Sequence, residues 1–392
     1  MIKLAAGTYN ESVSITKPIH LIGSDNVILT SSTQAPIISI EANDVTIENV
    51  SFDYKSEAEA STAILVNGNN NTLKNLEINT SQFGIRLDDA HDNELSKIKI
   101  IGKKSNPISE RQHGIDLWKS DNNKIFETKI KHIRDGMYIE SSNHTQVYDN
   151  DISHGRYGYH LMFTEDTVLE KNKSSVNVSG MMVMGTKRTK VNENILINNQ
   201  KSVQSLGLLL FDVKDGIITR NKILNNRVGI FVESAKENDI SMNEVGHNYI
   251  GLQFKLAENN KIKDNVFIAN VAQGQAEDSS HNDINENYWG DHLGLDFTGN
   301  NRSDLPYEID PFYYNLTDEY PPFQLLFASP GMIFLEQLFT TPKEEKMIDA
   351  SPLMENKLAE APTEKNDYLL ILFSSLSLLF MSLIIIFMGV RT

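Results

Sequence analysis

The sequence predicts an all-β fold, namely a right-handed, single-stranded parallel β-helix, and three observations support this. Glycines followed by apolar residues recur at a fixed period, asparagines recur at the same period, and the repeat is rich in Val, Ile, Asn and Gly. A repeat of 22 residues is too short for paired helices, whereas short strands joined by tight turns fit it. We therefore expect one coil of the β-helix per repeat.

The two series share an interruption as well as a period. The glycines are spaced by 22, 22, 27, 22 and 22 residues, at Gly136, Gly158, Gly180, Gly207, Gly229 and Gly251. The asparagines are spaced by 22, 22, 27, 22, 22 and 22 residues, at Asn150, Asn172, Asn194, Asn221, Asn243, Asn265 and Asn287. We predict that these asparagines form one column, with an insertion within residues 195–206 bulging at one turn.

The sequence divides into five predicted parts, with the coils running from near residue 2. They are a β-helix (1–290), a C-terminal cap (291–319), an apolar partner-binding segment (320–340), a polar linker (341–368) and a transmembrane helix (369–390). In the cap, we expect Trp289, Pro306 and Tyr307 to cover the last coil. Three carboxylates there are candidate calcium ligands, but a polar capping loop is the preferred interpretation: Asp291, Asp296 and Asp304.

The C-terminal residues predict a membrane anchor. Residues 369–390 contain no charged side chain and are long enough to cross a bilayer, which takes about 20 residues. Arg391 follows them, and the positive-inside rule then places the coils at the extracytoplasmic face of the cell membrane. Since no signal peptide precedes the first coil, we expect an export segment to be missing from this chain.

Charge and composition limit the possible functions. The net charge is −16, and the chain has no long Lys/Arg run, which argues against nucleic acid as a partner. The chain has no cysteine, so disulfides, thiolate metal sites and Cys nucleophiles are excluded. Any metal ligands must be His, Met, Asp or Glu.

An outward-facing patch is the first candidate site. In each strand after a glycine, positions one and three are apolar and positions two and four are predicted to face outward. Neighbouring coils, about 4.8 Å apart, then bring together two successive outward pairs and their apolar continuation: His160, Met162, Met182, Met184, Leu209 and Phe211. The imidazole and three thioethers suit Cu(I), but Met is equally suited to protein docking and to packing under a loop.

A second candidate column precedes the glycines. His132 and His154 occupy equivalent positions on consecutive coils, followed by Arg134 and Arg156. Stacked histidines suit copper and stacked arginines suit an anionic substrate, although a solvated turn is the preferred interpretation.

Several segments together resemble the NosD family of β-helix accessory proteins. They are "DGMYIESSNHT", "RYGYHLMFTEDT", "GMMVMGTKR", the ending "NYWGDHLGLD…DLPYEIDPF" and the tail "ASPGMIFLEQLF…IDASPLM". The resemblance implies a non-enzymatic protein that helps to build the copper–sulfur centre of nitrous oxide reductase. It further implies an ABC transporter permease and ATPase and a copper chaperone as partners, with copper bound transiently.

The alternative is a carbohydrate-active β-helix enzyme, such as a polysaccharide lyase or C5-epimerase. Such enzymes need a base and a charge-neutralising group in an outer groove, and suitable side chains are present: Asp88, Asp89, His91, Asp116, Arg134 and Arg156. Against this alternative, the outer face carries Met, Leu and Phe side chains, whereas a sugar-binding groove is polar and aromatic.

Overall fold

The structure, a computed structural model, describes residues 1–310, 319–326 and 346–358 and isolated positions elsewhere within 311–345. The chain separates into two compact units, residues 1–355 and 356–392. Nearly all of the second unit lies outside the described residues, so the fold described below is that of the first.

The coils form two parallel sheets. The smaller sheet has twelve strands, one per coil: Val13–Ile15, Ile38–Ile40, Thr62–Val66, Phe83–Asp88, Ile115–Trp118, Asp135–Glu140, Tyr157–Met162, Ser179–Met184, Leu206–Phe211, Val228–Glu233, Ile250–Lys255 and Ala272–Glu277.

The larger sheet has twenty-four strands, most of them of three residues, which complete each coil: Ile2–Leu4, Gly7–Asn10, His20–Gly23, Val27–Ser31, Thr46–Tyr54, Thr72–Thr80, Glu94–Ser96, Lys99–Ile101, Lys124–Phe126, Lys129–Lys131, Gln146–Tyr148, Asp151–Ser153, Val168–Glu170, Lys173–Ser175, Lys190–Asn192, Ile195–Ile197, Ile217–Thr219, Lys222–Leu224, Asp239–Ser241, Glu244–Gly246, Lys261–Lys263, Val266–Ile268, Asp283–Asn285 and Tyr288–Trp289. The described residues also include 3₁₀ turns at Ile108–Glu110 and Pro321–Leu326. The predicted parallel β-solenoid is confirmed, and the handedness of its winding stays a prediction.

The predicted asparagine column is present and buried. The side-chain oxygen of Asn172 accepts the backbone N–H of Asn150 at 3.2 Å, and its amide group donates to the carbonyl of Val147 at 2.8 Å. The same pattern repeats up to Asn265, whose N–H donates to Asn287 at 3.0 Å. Each asparagine side chain therefore accepts a backbone N–H from the neighbouring coil and satisfies a buried donor at that corner.

Two further asparagine columns stand at the other corners. One contains Asn177, Asn199, Asn226, Asn248 and Asn270. The other contains Asn71, Asn93 and Asn123 and resumes at Asn238, Asn260 and Asn282. The sequence analysis identified only one column of the three.

The core follows the predicted alternation. Positions one and three after each glycine are fully buried, as at Met181 and Val183. The insertion lies within the predicted range, since Ile195–Ile197 is a strand and Leu206 begins the next strand. The inserted turn is thus confined to residues 198–205.

The last coil is closed by aromatic stacking and by one carboxylate. Trp289 stacks between Phe267 at 4.4 Å and Tyr307 at 4.5 Å, measured between ring centroids. Asp349 is fully buried and accepts hydrogen bonds from the backbone of Asn287 (3.0 Å) and from the indole N–H of Trp289 (3.0 Å). Asp349 therefore extends the asparagine column by one position.

Part of the predicted linker belongs to this cap. Met347–Asp349 pairs antiparallel with Tyr307–Ile309, and Leu353 is buried. The prediction of a polar linker over residues 341–368 is therefore wrong for residues 346–353. Its sequence is polar, but Met347 and Leu353 supply the buried contacts and Asp349 satisfies donors of the last coil.

The carboxylates considered for calcium are used within the cap loop. Asp296 accepts backbone N–H groups from Gly299 at 2.7 Å and from Asn301 at 2.8 Å. Asp304 accepts the N–H of Phe297 at 2.8 Å, and Asp291 accepts the hydroxyl of Tyr307 at 3.3 Å.

The other C-terminal predictions fall outside what the structure describes. The transmembrane helix predicted at 369–390 and most of the segments predicted at 320–340 and 354–368 lie outside the described residues. Within the described part of the chain, none of the helices has the length and apolar character needed to cross a membrane.

Candidate functional site

The strand register brings the residues of the predicted patch together. Across the parallel strands Tyr157–Met162 and Ser179–Met184, His160 pairs with Met182 and Met162 pairs with Met184. The next strand continues both rows with Leu209 and Phe211. None of the six belongs to the hydrophobic core cluster of the described residues. We call these six residues the His–Met patch.

The side chains of the His–Met patch are more buried than we expected for residues on the outward face of the strands. His160 is only 8% exposed and Met182 only 7% exposed, while Met162 and Met184 are half-buried. Aromatic rings account for part of the cover, because Tyr138 and Tyr157 meet the imidazole of His160 edge-on at 4.9 and 5.2 Å. The patch is thus a shallow site with an apolar rim.

A buried carboxylate holds His160 in place. Asp135 is fully buried, and its Oδ2 lies 3.1 Å from Nδ1 of His160. Arg156 donates to both oxygens of Asp135, through Nε at 2.8 Å and Nη2 at 2.5 Å. Burial acts to raise the pKa of Asp135, but the hydrogen bonds from Arg156 and His160 outweigh it and hold the pKa well below its usual range.

This contact decides which imidazole nitrogen is available. An ionised carboxylate accepts the proton of Nδ1, so Nε2 carries the lone pair that can bind a metal ion. Metal-binding histidines usually donate their second nitrogen to such an acceptor, which fixes the ring and raises its basicity. His160 therefore has the orientation of a ligand before any ligand binds.

One methionine of the patch is also positioned by a hydrogen bond. The hydroxyl of Tyr138 lies 2.6 Å from Oε2 of Glu140 and 3.3 Å from the sulfur of Met162. Burial, followed by the hydrogen bond to Glu140, raises the pKa of Tyr138. The hydroxyl therefore keeps its proton and acts as a donor at neutral pH.

The sequence analysis missed an exposed aromatic side chain at the edge of the patch. Phe163 is 60% exposed and has a left-handed backbone, with φ of 54°. Its ring lies over Gly185, where a Cβ atom would approach it to 2.9 Å. Phe163 follows Met162 directly, so the edge of the site combines it with Phe211, which is 36% exposed.

The second candidate column is only partly assembled. His132 and His154 are adjacent, with ring centroids 4.9 Å apart. Arg156 instead turns to Asp135 and lies 4.3 Å over the ring of Tyr157. The two arginines therefore do not act as a joint anion clamp, and the role of this column stays a prediction.

The structure brings the residues of the enzyme alternative together only in part. Asp116 lies 2.7 Å from Nδ1 of His113 and 3.8 Å from Nε of Arg86. His91 lies 3.3 Å from Asp89 in the turn that follows the strand Phe83–Asp88. Arg156 is held by Asp135 and not by these residues.

Carboxylates and imidazoles alone do not build a metal site here. Within residues 1–310 and 346–358, the structure places no group of three or more His, Asp or Glu side chains to hold a metal ion.

Solved structures show likeness of fold at low identity. Tailspike protein 3 of bacteriophage CBA120 aligns with a TM-score of 0.56 and 9% identity, covering 73% of this chain and 52% of that one. The A-module of the mannuronan C-5 epimerase AlgE6 of Azotobacter vinelandii aligns with a TM-score of 0.48 and 13% identity, covering 73% of this chain and 83% of that one. The periplasmic alginate epimerase AlgG aligns with a TM-score of 0.47 and 15% identity, covering 67% and 65%.

Sequence comparison identifies the family. Curated proteins give no match. A family profile described as "Periplasmic copper-binding protein (NosD)" matches residues 98–301, just over half of the 392 residues. The match includes all the strands that carry the His–Met patch. This chain belongs to the NosD family.

Proposed function

We propose that this protein is a non-enzymatic accessory protein for the maturation of nitrous oxide reductase, and that it handles copper as cargo at the His–Met patch. Membership of a family described as periplasmic and copper-binding supports this. The observation that carries it is His160, held through Nδ1 by the buried carboxylate of Asp135 and paired in register with Met182.

The donor set fits Cu(I). Imidazole nitrogen and thioether sulfur are soft ligands, and neither has to lose a proton near neutral pH in order to bind. His160 offers Nε2, while Met162, Met182 and Met184 offer sulfur from two adjacent strands. Three unbranched side chains with several rotatable bonds can converge on one ion and release it again. Such a site suits transfer better than permanent storage.

The apolar rim supports a docking role next to the copper ligands. Phe163 and Phe211 are exposed beside Met162 and Met184. Exposed aromatic side chains that surround a nearly buried polar centre are typical of protein interfaces. The rim is therefore the proposed contact for the copper chaperone or for the reductase.

The remaining partners and the location are parts of the same proposal. Residues 320–340 bind the permease of an ABC transporter, which acts together with its ATPase, and residues 369–390 anchor the protein at the extracytoplasmic face of the membrane. Replacing residues 320–340 with a Gly/Ser linker of equal length leaves Met347–Asp349 in place and should abolish co-purification with the permease. Retained co-purification contradicts this part of the proposal.

Maturation of the reductase in cells tests the copper role. Changing Met162, Met182 and Met184 together to Leu keeps apolar area but removes sulfur, so the yield of copper-loaded reductase should fall at least tenfold if each lost ligand costs about 1.4 kcal/mol or more. Met181→Leu is the matched control, because it makes the same change on the same strand but in the core.

Two outcomes of this experiment contradict the proposal at different levels. Normal maturation in the triple leucine variant excludes copper handling by these sulfurs. Normal maturation even after Met182→Asp and Met184→Asp excludes the patch as a docking surface too, because two carboxylates would disrupt an apolar contact.

A carbohydrate-active enzyme remains the second candidate, on the strength of the pair His113–Asp116 beside Arg86. Against it, the pKa of Tyr138 is raised, which is opposite to what a phenolate base requires. Incubating the full chain and its Asp116→Asn variant with polymannuronate tests the alternative. Epimerisation or chain cleavage that disappears in the variant supports it.

A further inference from the structure

A cluster of cations without carboxylates lies at the corner that carries His132 and His154. Two insertions flank this corner, one at residues 102–112 and the other at residues 198–205. The first adds residues before Gly114, which follows Gly84 by 30 residues instead of 22. Four cations accompany the histidines: Lys104, Arg111, Lys131 and Lys201. We call these six residues the basic corner.

Arg111 holds the first insertion against the histidine turn. Its side chain is buried, with only 6% of the residue exposed. Its Nε and Nη2 donate to the carbonyl of Asn106 at 2.9 and 2.6 Å, and Nη2 also donates to the carbonyl of Lys104 at 3.1 Å. Nη1 lies 3.4 Å from the carbonyl of His154. The guanidinium is thus hydrogen-bonded, but its charge is not neutralised.

The basic corner differs from the rest of the surface. At many other surface positions a lysine faces a carboxylate on the adjacent coil, as in Lys99–Glu77 at 2.9 Å and Lys236–Glu258 at 2.8 Å. Among the described residues, no carboxylate lies within ion-pair distance of any of the six members of the basic corner. Repulsion among these cations costs free energy, which a bound anion would offset.

The histidines at the centre show the same shortage of negative charge. Desolvation, followed by the charges of neighbouring His154, Arg111, Lys104 and Lys131, lowers the pKa of His132. Desolvation and then the charges of Lys201, Lys131 and Lys104 lower the pKa of His154. In addition, Nδ1 of His154 is buried and has no hydrogen-bond partner within the part of the chain that the structure describes. This nitrogen lacks the partner that buried polar atoms normally have.

We propose that the basic corner binds an oxyanion of the phosphate or sulfate class, held between the two inserted loops and beside the adjacent imidazoles of His132 and His154. Charge-assisted hydrogen bonds from lysine are a usual means of binding such anions, and neutral imidazole N–H groups can donate to the same oxygens. Copper does not fit there, because four cationic side chains surround the two rings. The site is separate from the His–Met patch and does not depend on the function proposed for it.

Titration of the purified full chain with inorganic phosphate, followed by calorimetry, tests the proposal. Lys201→Glu and Lys104→Glu each reverse one exposed charge of the basic corner, so each should weaken phosphate binding about tenfold. Lys190→Glu is the matched control, because it makes the same change at an exposed strand position outside the corner. Equal weakening by Lys190→Glu means that phosphate responds only to net charge and overturns the proposal.

Two further arms locate the anion and define its class. Phosphate should shift the ring NMR signals of His132 and His154 and leave those of His144 and His281 unchanged. Sulfate should bind like phosphate, and acetate at the same concentration should bind more weakly. No binding heat at saturating phosphate, equal affinity for acetate, or shifts at all four histidines would overturn the proposal.

Discussion

At the scale of single residues, Asp135 determines what the His–Met patch can do. Its carboxylate accepts from Arg156 and His160 and lies 3.8 Å from Nε2 of His113. Because it is fully buried, its negative charge depends on these donors. Asp135 therefore positions His160 without touching the copper cargo itself.

Changing Asp135 to Asn should weaken Cu(I) binding by 10- to 100-fold, about the range that second-shell partners of metal-binding histidines show. A competition titration with a chromophoric Cu(I) chelator measures this. His144→Gln is the control, since His144 is exposed and outside the patch. Unchanged affinity in Asp135→Asn would mean that His160 does not need this orientation.

The same carboxylate predicts a dependence of stability on pH. The pKa of Asp135 is depressed in the folded state, so its contribution is complete above the ordinary Asp pKa, about 3.9, and is lost as pH falls through the folded value. Urea unfolding of the wild type should therefore show a loss of stability below about pH 4 that is smaller in Asp135→Asn. Parallel pH profiles for the two proteins would contradict this account.

The sequence predicted which face His160 and the methionines occupy, because alternation has a period of two. It did not predict Asp135, which lies one residue before a glycine and carries no periodic signal. Only the fold shows that a carboxylate from one coil reaches the imidazole of the next. Phe163 was missed for a similar reason, since it lies in a turn beyond the alternating strand.

At the scale of elements, the asparagine columns hold the corners of the coils. Asn221 illustrates this: its Oδ1 accepts from the backbone and side chain of Asn194 at 2.9 and 3.0 Å. Its amide group donates to the carbonyl of Val191 at 2.8 Å and to Asn243 at 2.9 Å. A single side chain thus satisfies groups from three coils.

Replacing Asn221 with Ala should lower the free energy of unfolding by about 3 kcal/mol, because it leaves buried donors and acceptors unsatisfied. Chemical denaturation measures the change. Asn285→Ala is the control, since Asn285 is only half-buried and outside the columns. Equal effects of the two substitutions would show that the column adds nothing beyond ordinary packing.

The sequence predicted the column that begins at Asn150 because every coil there carries Asn. The column through Asn177 and Asn199 has the same period, but neighbouring asparagines such as Asn198 obscure it. The third column is interrupted at positions such as Thr145 and Gly216, although the backbone N–H of Gly216 still donates to Oδ1 of Asn238. The period of the sequence therefore predicts the coils more readily than it predicts the side-chain contacts between coils.

At the scale of the whole molecule, each coil of a solenoid contacts mainly the coils next to it. The two end coils therefore decide whether the stack of coils is stable. Here Asp349 and Tyr307 come from beyond the coils to close the last one. The sequence predicted a cap from Trp289 and Tyr307. It did not reveal Asp349, because 60 residues of chain separate it from Trp289.

Changing Asp349 to Ala should loosen the last coils and leave the site unaffected. The indole of Trp289 and the backbone of Asn287 lose their acceptor, so hydrogen exchange should increase near residues 265–289. Exchange in Tyr157–Met162 should stay the same, because many coils separate it from the cap. A uniform increase along the chain would contradict this one-dimensional account.

The central claim, that the His–Met patch holds Cu(I) through one imidazole and methionine sulfur, is tested most directly by copper X-ray absorption spectroscopy. The full chain loaded with one equivalent of Cu(I) should show sulfur and imidazole scattering in the first shell. Met181→Leu should give the same spectrum, whereas the triple Met162, Met182 and Met184 to Leu variant should lose the sulfur contribution. A first shell of oxygen and nitrogen alone in the wild type, or sulfur scattering that persists in the triple variant, would contradict the account.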